Sequence, residues 1–349
     1  MKEFIEINGH RIGKGYPPYI VAELSANHNG DLQRALRIIE EAKIAGAHAV
    51  KIQTFTPDTI TLDHESDDFM IRGGLWDGKS LYELYEDAHL PWKWHKQIFD
   101  KARDVGITLF SSPFDHSAVD FLESLEAPAY KIASFEIIDL PLIARVAQTG
   151  KPIILSTGMA DKTEITEAIQ TAYDNGNREL IVLHCVSGYP APADEYNLRT
   201  IEDLSIRFDV ISGLSDHTIT NATAISAVAL GASLIEKHVT LDHDCGGVDD
   251  SFSINPEQLA NLCRDVEIAW NALGKVNYER TNSEKGNIKY RRSLYVVKDI
   301  KAGEEFSTAN IRSIRPGFGL SPKNLERVLG KKSKTSIPKG TALKRTHIE

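Results

Sequence analysis

Two histidines and two lysines stand where short apolar runs end. His217 closes Gly213-Leu214-Ser215-Asp216-His217 and His238 closes Leu234-Ile235-Glu236-Lys237-His238, while Lys51 lies in Ala49-Val50-Lys51-Ile52-Gln53 and Lys131 in Tyr130-Lys131-Ile132. A pair of imidazoles with oxygen ligands suits a borderline divalent ion such as Mn²⁺, leaving positions for water and substrate. The other reading is a hydrogen-bonded buried pair. Two ammonium groups accompanied by hydroxyls suit an anion bearing both carboxylate and phosphate, the lysines supplying charge and the hydroxyls orientation. Taken singly, each lysine also reads as a strand-end residue paired with Glu23 or Glu136. His28, His184 and His243 read as turn or core residues.

For these groups to converge, the runs that carry them must be neighbouring strands sharing one mouth. Eight β-branched runs are candidates: 19–23, 49–53, 108–112, 129–132, 153–156, 180–185, 210–213 and 234–238. Between them lie stretches with three- and four-residue apolar spacing, such as 32–45, 94–105, 140–149, 164–175 and 221–230, which predict helices. Eight βα units match an α/β fold of the closed (β/α)8 TIM-barrel type. An open doubly wound sheet is the rival, but no Gly-x-Gly-x-x-Gly turn follows the first run. Chemistry in a parallel barrel sits at the carboxyl ends of the strands. All eight ends are polar here: Glu23; Lys51 and Gln53; Ser111 and Ser112; Lys131 with Ser134 and Glu136; Ser156, Thr157 and Gly158; Ser187 and Tyr189; Ser215, Asp216 and His217; and Glu236, Lys237 and His238. That repetition predicts a catalytic barrel.

The flanking segments complete the plan. Phe4, Ile5 and Ile7 precede Asn8-Gly9 and Ile12 follows, which predicts a type I′ hairpin that plugs the barrel base. The second βα loop, 54–91, is long enough to be functional. A helix over 256–273 closes a first domain of residues 1–274, a polar link spans 275–286, and residues 287–349 read as a small β-rich domain with turns at Ala302-Gly303, Pro316-Gly317 and Lys339-Gly340.

Composition narrows the setting. The 349 residues are 42% apolar and carry a net charge of −9. Residues 275–349 hold 18 basic against 7 acidic side chains, so the tail is at +11 and the first 274 residues at −20. The tail reads either as an ordinary solvated surface or as a basic lid over a site for anions. An acidic chain without a recognisable binding motif argues against nucleic acid as partner. Three cysteines, Cys185, Cys245 and Cys263, encode neither a disulfide framework nor a four-thiolate zinc site and fit a reducing cytoplasm. No run approaches the length of a membrane span, and the first residues lack an apolar signal core.

Taken in order, Glu23-Leu24-Ser25-Ala26-Asn27-His28-Asn29, Lys51-Ile52-Gln53-Thr54, Tyr130-Lys131-Ile132-Ala133-Ser134, Leu155-Ser156-Thr157-Gly158-Met159, Gly213-Leu214-Ser215-Asp216-His217-Thr218 and Glu236-Lys237-His238 resemble the nonulosonic (sialic) acid synthases over nearly the whole chain. The tail resembles the antifreeze-like (SAF) domain of those enzymes through Ser293-Leu294-Tyr295, 298–304 and 314–319. Within the family, Glu23-Leu24-Ser25, Gly73-Gly74-Leu75-Trp76, 81–85 and Ser134-Phe135-Glu136 are most similar to the members that make pseudaminic acid. Phe135 offers an apolar wall, which favours a methyl over a hydroxymethyl group by about 1–3 kcal/mol. Ser187 stands where neuraminic acid synthases usually have Asn.

The resemblance implies condensation of phosphoenolpyruvate with the open-chain aldehyde of an amino sugar, 2,4-diacetamido-2,4,6-trideoxy-altrose, with release of phosphate. It implies a divalent ion, Mn²⁺ or Mg²⁺, held by His217 and His238. Phosphoenolpyruvate would be bound by Lys51, Lys131, Ser134, Ser156 and Ser215 with Gln53 and Ser112 in support, while Ser187 and Tyr189 follow strand six. Glu23 would position a metal-bound water or a sugar hydroxyl, Glu136 would act as base for the attacking water, and Asp249 would bind sugar. The likeness also implies a domain-swapped homodimer whose second domain brings Arg315, with Tyr290 nearby, to the partner's site. N-acetylneuraminate and legionaminate synthesis are the alternatives within the family. A Schiff-base aldolase through Lys131 is a remote one from another class.

Overall fold

The computed structural model describes residues 2–349, apart from the side chain of Asp244. The chain divides into two compact units, Met1–Gly274 and Lys275–Glu349.

The first unit opens with β1 (Ile5–Ile7) and β2 (His10–Ile12), paired antiparallel. Asn8 and Gly9 take φ of 49° and 82°, the double positive φ that the two-residue turn requires. Eight parallel strands follow: β3 (Tyr19–Glu23), β4 (Ala49–Thr54), β5 (Thr108–Pro113), β6 (Tyr130–Ile132), β7 (Ile153–Ser156), β8 (Leu180–Cys185), β9 (Ile211–Asp216) and β10 (Leu234–His238). They close into a barrel in which β10 pairs with both β9 and β3. Ile5, Ile7 and Ile12 of the hairpin pack with Val21, Ala49, Phe110, Ala129, Ile154, Ile181 and Leu234, so the base is filled with hydrocarbon. The polar groups at this end are few, with Asn8 donating to the Thr108 hydroxyl at 3.3 Å.

Helices cover the outside. They include α1 (Leu32–Ala45), α2 (Pro57–Ile60), α3 (Leu81–Ala88), α4 (Trp92–Val105), α5 (His116–Ser124), α6 (Leu140–Ala147), α7 (Lys162–Asp174), α8 (Thr200–Phe208), α9 (Ala222–Ala229) and α10 (Pro256–Leu273). In α1 the Asp31 carboxylate accepts from the Gln33 N–H at 2.8 Å, and Gly46 ends the helix in the left-handed region. Its buried stripe, Ala35, Ile38, Ile39 and Ala42, has the spacing of one helix face and lies in the main core around the barrel. Helices α5 and α8 are additional to those read from the sequence. Strand β9 reaches Asp216, beyond the expected end at 213, because Ser215 and Asp216 pair in register with Glu236 and Lys237 of β10. The 54–91 segment folds back on itself through α2 and α3, the latter started by Ser80 and Glu83 capping each other's backbone N–H. Among the described residues no helix is long and apolar enough to cross a membrane.

The second unit pairs β11 (Ser293–Val296) with β12 (Ile311–Ile314) antiparallel over a core of Leu294, Val296, Ile300, Phe306, Ile311, Val328, Ile337 and Leu343. The expected link carries a short helical turn at Asn282–Lys285.

Ile7 is fully buried among the base residues, so Ile7→Ala leaves a cavity there. It should destabilise the first unit by about 2–5 kcal/mol in chemical denaturation; a loss under about 0.5 kcal/mol would show that the plug is not a packed part of the barrel.

Candidate active site

Successive residues of a strand alternate between its two faces, so each barrel strand sends every second side chain inward. Lys51, Lys131, Ser215 and Glu236 are inward at the mouth and all but inaccessible, with exposures of 3%, 2%, 3% and 4%. Lys51 Nζ lies 2.7 Å from Glu23 Oε2 and 3.7 Å from Glu236 Oε1, and donates to Ser112 Oγ at 3.4 Å. Lys131 Nζ lies 3.5 Å from Glu236 Oε1, to which the Ser215 hydroxyl also donates at 3.2 Å. The partner of Lys131 is therefore Glu236 rather than the Glu136 nearer in sequence. Strands β6 and β10 stand on opposite sides of the ring, so this pair spans the barrel interior. Gln53 Nε2 donates to Glu23 Oε1 at 3.1 Å and to Ser25 Oγ at 3.0 Å.

Burial sets the titration of this floor. Desolvation lowers the Lys131 ammonium, with Glu236 opposing. Glu236 is itself held below the usual carboxylate range: burial works against its charge, but Lys131 and Lys51 outweigh it. Glu136, in the turn after β6, is pushed up to about 7 chiefly by burial, with Lys131 opposing and Asp139 adding to the rise.

A cavity of about 340 Å³ opens above the floor. Lys51, Gln53, Lys131, Ser134, Glu136, Ser156, Tyr189, Ser215, His217, His238 and Asp249 line it. Glu23 and Ser112 contact Lys51 from the neighbouring strands β3 and β5 and are not on the cavity surface. Ser187 sits behind Gly158, where an added Cβ would fall 2.2 Å from Ser187 Oγ and 2.7 Å from Ser134 Oγ, so only glycine lets these hydroxyls approach. Phe135 reaches the rim but is 59% exposed. Tyr290 and Arg315 belong to the second unit, where Tyr290 is 55% exposed. A larger hollow of about 590 Å³ at the amino end, lined by residues such as Gly13, Tyr16, Ala229 and Trp270, contains no acid or histidine.

His217 and His238 converge, with ring centroids 5.4 Å apart. Tyr189 packs on His217 at 4.4 Å and Phe252 on His238 at 5.1 Å. Val186 O faces His217 Nδ1 at 2.8 Å, and the His217 N–H donates to the Tyr196 hydroxyl at 2.7 Å. His238 Nδ1 is buried without a hydrogen-bond partner among the described residues, 3.7 Å from Asp249 Oδ2. Burial holds its imidazole well below the ordinary value, hence neutral as a metal ligand must be. No group of three His, Cys, Asp or Glu among the described residues is arranged to enclose an ion. Burial works against charge on His217, but the neighbouring Cys185 sulfur raises its imidazole above the ordinary value, so His217 gives up a proton on taking up an ion; the two rings beside open space then fit a divalent ion whose remaining positions are taken by oxygen ligands.

The NeuB family signature matches residues 38–278. The chain belongs to the NeuB family. A SAF domain signature matches residues 291–349. The pseudaminic acid synthase of Campylobacter jejuni subsp. jejuni is 45% identical over 93% of this chain and 95% of its own length. An N,N'-diacetyllegionaminic acid synthase of the same species is 39% identical over 89% and 94%. The crystal structure of N-acetylneuraminic acid synthetase from Leptospira borgpetersenii, in complex with citrate, superposes with a TM-score of 0.73 at 32% identity, covering 82% of this chain and 96% of that one.

On this NeuB barrel the sequence reading missed three kinds of residue. Glu236 was visible as a strand-end acid but not as the shared partner of both lysines. Lys237, by contrast, points outward: its ammonium donates to Asp216 Oδ2 at 2.7 Å and to the Thr218 carbonyl at 2.5 Å, clamping the turn that carries His217. Phe55, Ile60, Leu84, Tyr85 and Phe114 line the cavity from the short helices α2 and α3 and from the residues just after β4 and β5, outside the strands whose periodicity marks the mouth.

Glu136 generates a pH prediction. Its carboxyl keeps its proton to about pH 7 when folded but ionises near the ordinary value when unfolded, so its contribution to stability is complete below that value and is lost as pH rises toward 7. Denaturation at pH 5 and pH 8 should show a smaller loss in Glu136→Gln than in the wild type; equal losses would mean that this carboxyl ionises normally.

Proposed function

We propose that the chain condenses phosphoenolpyruvate with 2,4-diacetamido-2,4,6-trideoxy-altrose to give pseudaminic acid and phosphate. The observation that carries this is the buried floor of Lys51, Lys131, Ser215 and Glu236 beneath a cavity that also contains the histidine pair. The higher identity to a pseudaminic than to a legionaminic acid synthase supports the choice of sugar.

In this reading Lys51 and Lys131, with Ser134, Ser156 and Ser215, take the carboxylate and phosphate of phosphoenolpyruvate, supported by Gln53 and Ser112. Ser156 Oγ and Glu236 Oε2 are buried without partners among the described residues and are free to meet substrate groups. The methylene carbon of the enol ester forms the bond to the aldehyde carbon, whose oxygen takes up a proton, and water adds at the carbon that bears the phosphate. Glu136, whose unpartnered Oε2 faces the cavity, takes the proton of that water before the carbon–oxygen bond to phosphate breaks. Glu23 keeps Lys51 charged and in place, and through Gln53 orients a sugar hydroxyl. Asp249, anchored by the Ala26 N–H at 3.5 Å, takes sugar hydroxyls together with Tyr189, while Ser187 stays behind Gly158, off the cavity surface. His217 and His238 would hold a divalent ion, Mn²⁺ or Mg²⁺, which when bound polarises the aldehyde oxygen.

We further read the active species as a cytoplasmic homodimer in which Arg315 and Tyr290 serve the partner's site. Val276 and Tyr278, 89% and 98% exposed, support a second copy over this segment. Light scattering that returns a monomer at working concentration would reject it.

The test is to offer phosphoenolpyruvate with the altrose derivative, its manno isomer and N-acetylmannosamine, following phosphate and product mass. The altrose derivative should give the highest kcat/KM; a higher value for either other sugar would overturn the substrate. His217→Ala and His238→Ala should each lower kcat by more than about 10²-fold, the scale of one lost electrostatic stabiliser, with unchanged thermal midpoints. Wild-type rates in both would remove the histidines from the reaction.

A further inference from the structure

The cavity is not polar all round. One part of its lining is the charged floor; another is a contiguous hydrocarbon wall supplied by the 54–91 segment and the residue after β5. Phe55 meets Tyr85 edge-on at 5.8 Å and Phe114 at 5.1 Å, while Leu84, on α3, is 7% exposed and Ile60 is half-buried. The segment is tied down across the mouth by Trp76, whose indole N–H donates to the Val248 carbonyl at 3.4 Å. The side chains of Phe55, Ile60, Leu84 and Phe114 have no donor or acceptor.

A wall of that kind discriminates among the parts of an amino sugar. Hydroxyls and acetamido groups lose water there and gain no partner, whereas a methyl group needs none. We propose that this wall is the subsite for the carbon-6 methyl of a 6-deoxy amino sugar, and that Ile60 and Leu84 set the preference over a 6-hydroxymethyl sugar. The inference rests on the function proposed above and deepens it by assigning substrate choice to named residues. Phe135 does not serve this purpose, since a ring 59% exposed faces mainly water. The aldehyde end of the sugar belongs with the histidine pair, which leaves the methyl terminus for a wall built by a different loop.

The experiment compares kcat/KM for the 6-deoxy diacetamido sugar and its 6-hydroxy counterpart in wild type, Ile60→Asn and Leu84→Ala. A hydrophobic pocket separates such a pair by about 10- to 200-fold. The deoxy-to-hydroxy ratio should fall at least about tenfold in both variants, with the KM for phosphoenolpyruvate moving far less. Ile60 is not a core residue, so Ile60→Asn keeps the test decisive if Leu84→Ala loosens α3. A ratio within twofold of wild type in the folded variants overturns the wall while leaving the substrate reading intact. A wild-type preference for the hydroxylated sugar overturns both.

Discussion

Two buried lysines at the carboxyl ends of β4 and β6 need counter-charge to exist inside a barrel, and Glu236 supplies it to both at once. An uncompensated buried ammonium would shed its proton or unfold the site. Glu23 and Glu236 oppose burial at both lysines, outweighing it at Lys51 but not at Lys131, whose ammonium stays below its ordinary value. The arrangement is poorly suited to raising stability, since desolvating such groups costs about as much as their attraction returns. It suits the capture of a small polyanion, for which fixed donors in a water-poor cavity are worth far more than the same donors in solution.

The rest of the first unit follows from that requirement. Lys131 and Glu236 can meet only because the sheet closes, placing β6 opposite β10. The hairpin fills the base with Ile5, Ile7 and Ile12, so that the buried charges of the barrel gather at the other end. The outward residues of the same strands work as braces: Lys237, next in sequence to two inward residues, secures the Asp216–Thr220 turn and with it His217. The long second loop then roofs the charged floor with hydrocarbon, giving one cavity two chemistries.

Much of this was legible in the sequence. The barrel was visible because β-branched runs and helix-periodic stretches alternate eight times, and the mouth because every run ends in polar residues. Helix α5 carried a readable start signal in Asp115, which accepts from the Ser117 and Ala118 N–H groups, whereas α8 begins at Arg199 without a side-chain cap. The ionic partnerships were less accessible. Proximity along the chain favoured Glu136 for Lys131, while closure of the ring brings Glu236. The apolar lining was illegible for a related reason: Phe55 and Phe114 follow β4 and β5, Ile60 ends the short α2 and Leu84 lies on α3, so four separate pieces of chain meet only through the path of the connections between them. Phe135, which follows Ser134 in the motif, reaches the cavity rim while 59% exposed.

The central claim is that Lys51 and Lys131 are held charged by Glu23 and Glu236 in order to bind a carboxylate and a phosphate. Calorimetric titration of phosphoenolpyruvate into Lys131→Met, checked for native circular dichroism, tests it most directly. Loss of one charge-assisted contact of about 1.5–3 kcal/mol predicts an affinity lower by roughly 10- to 150-fold. Binding within twofold of wild type would contradict the account.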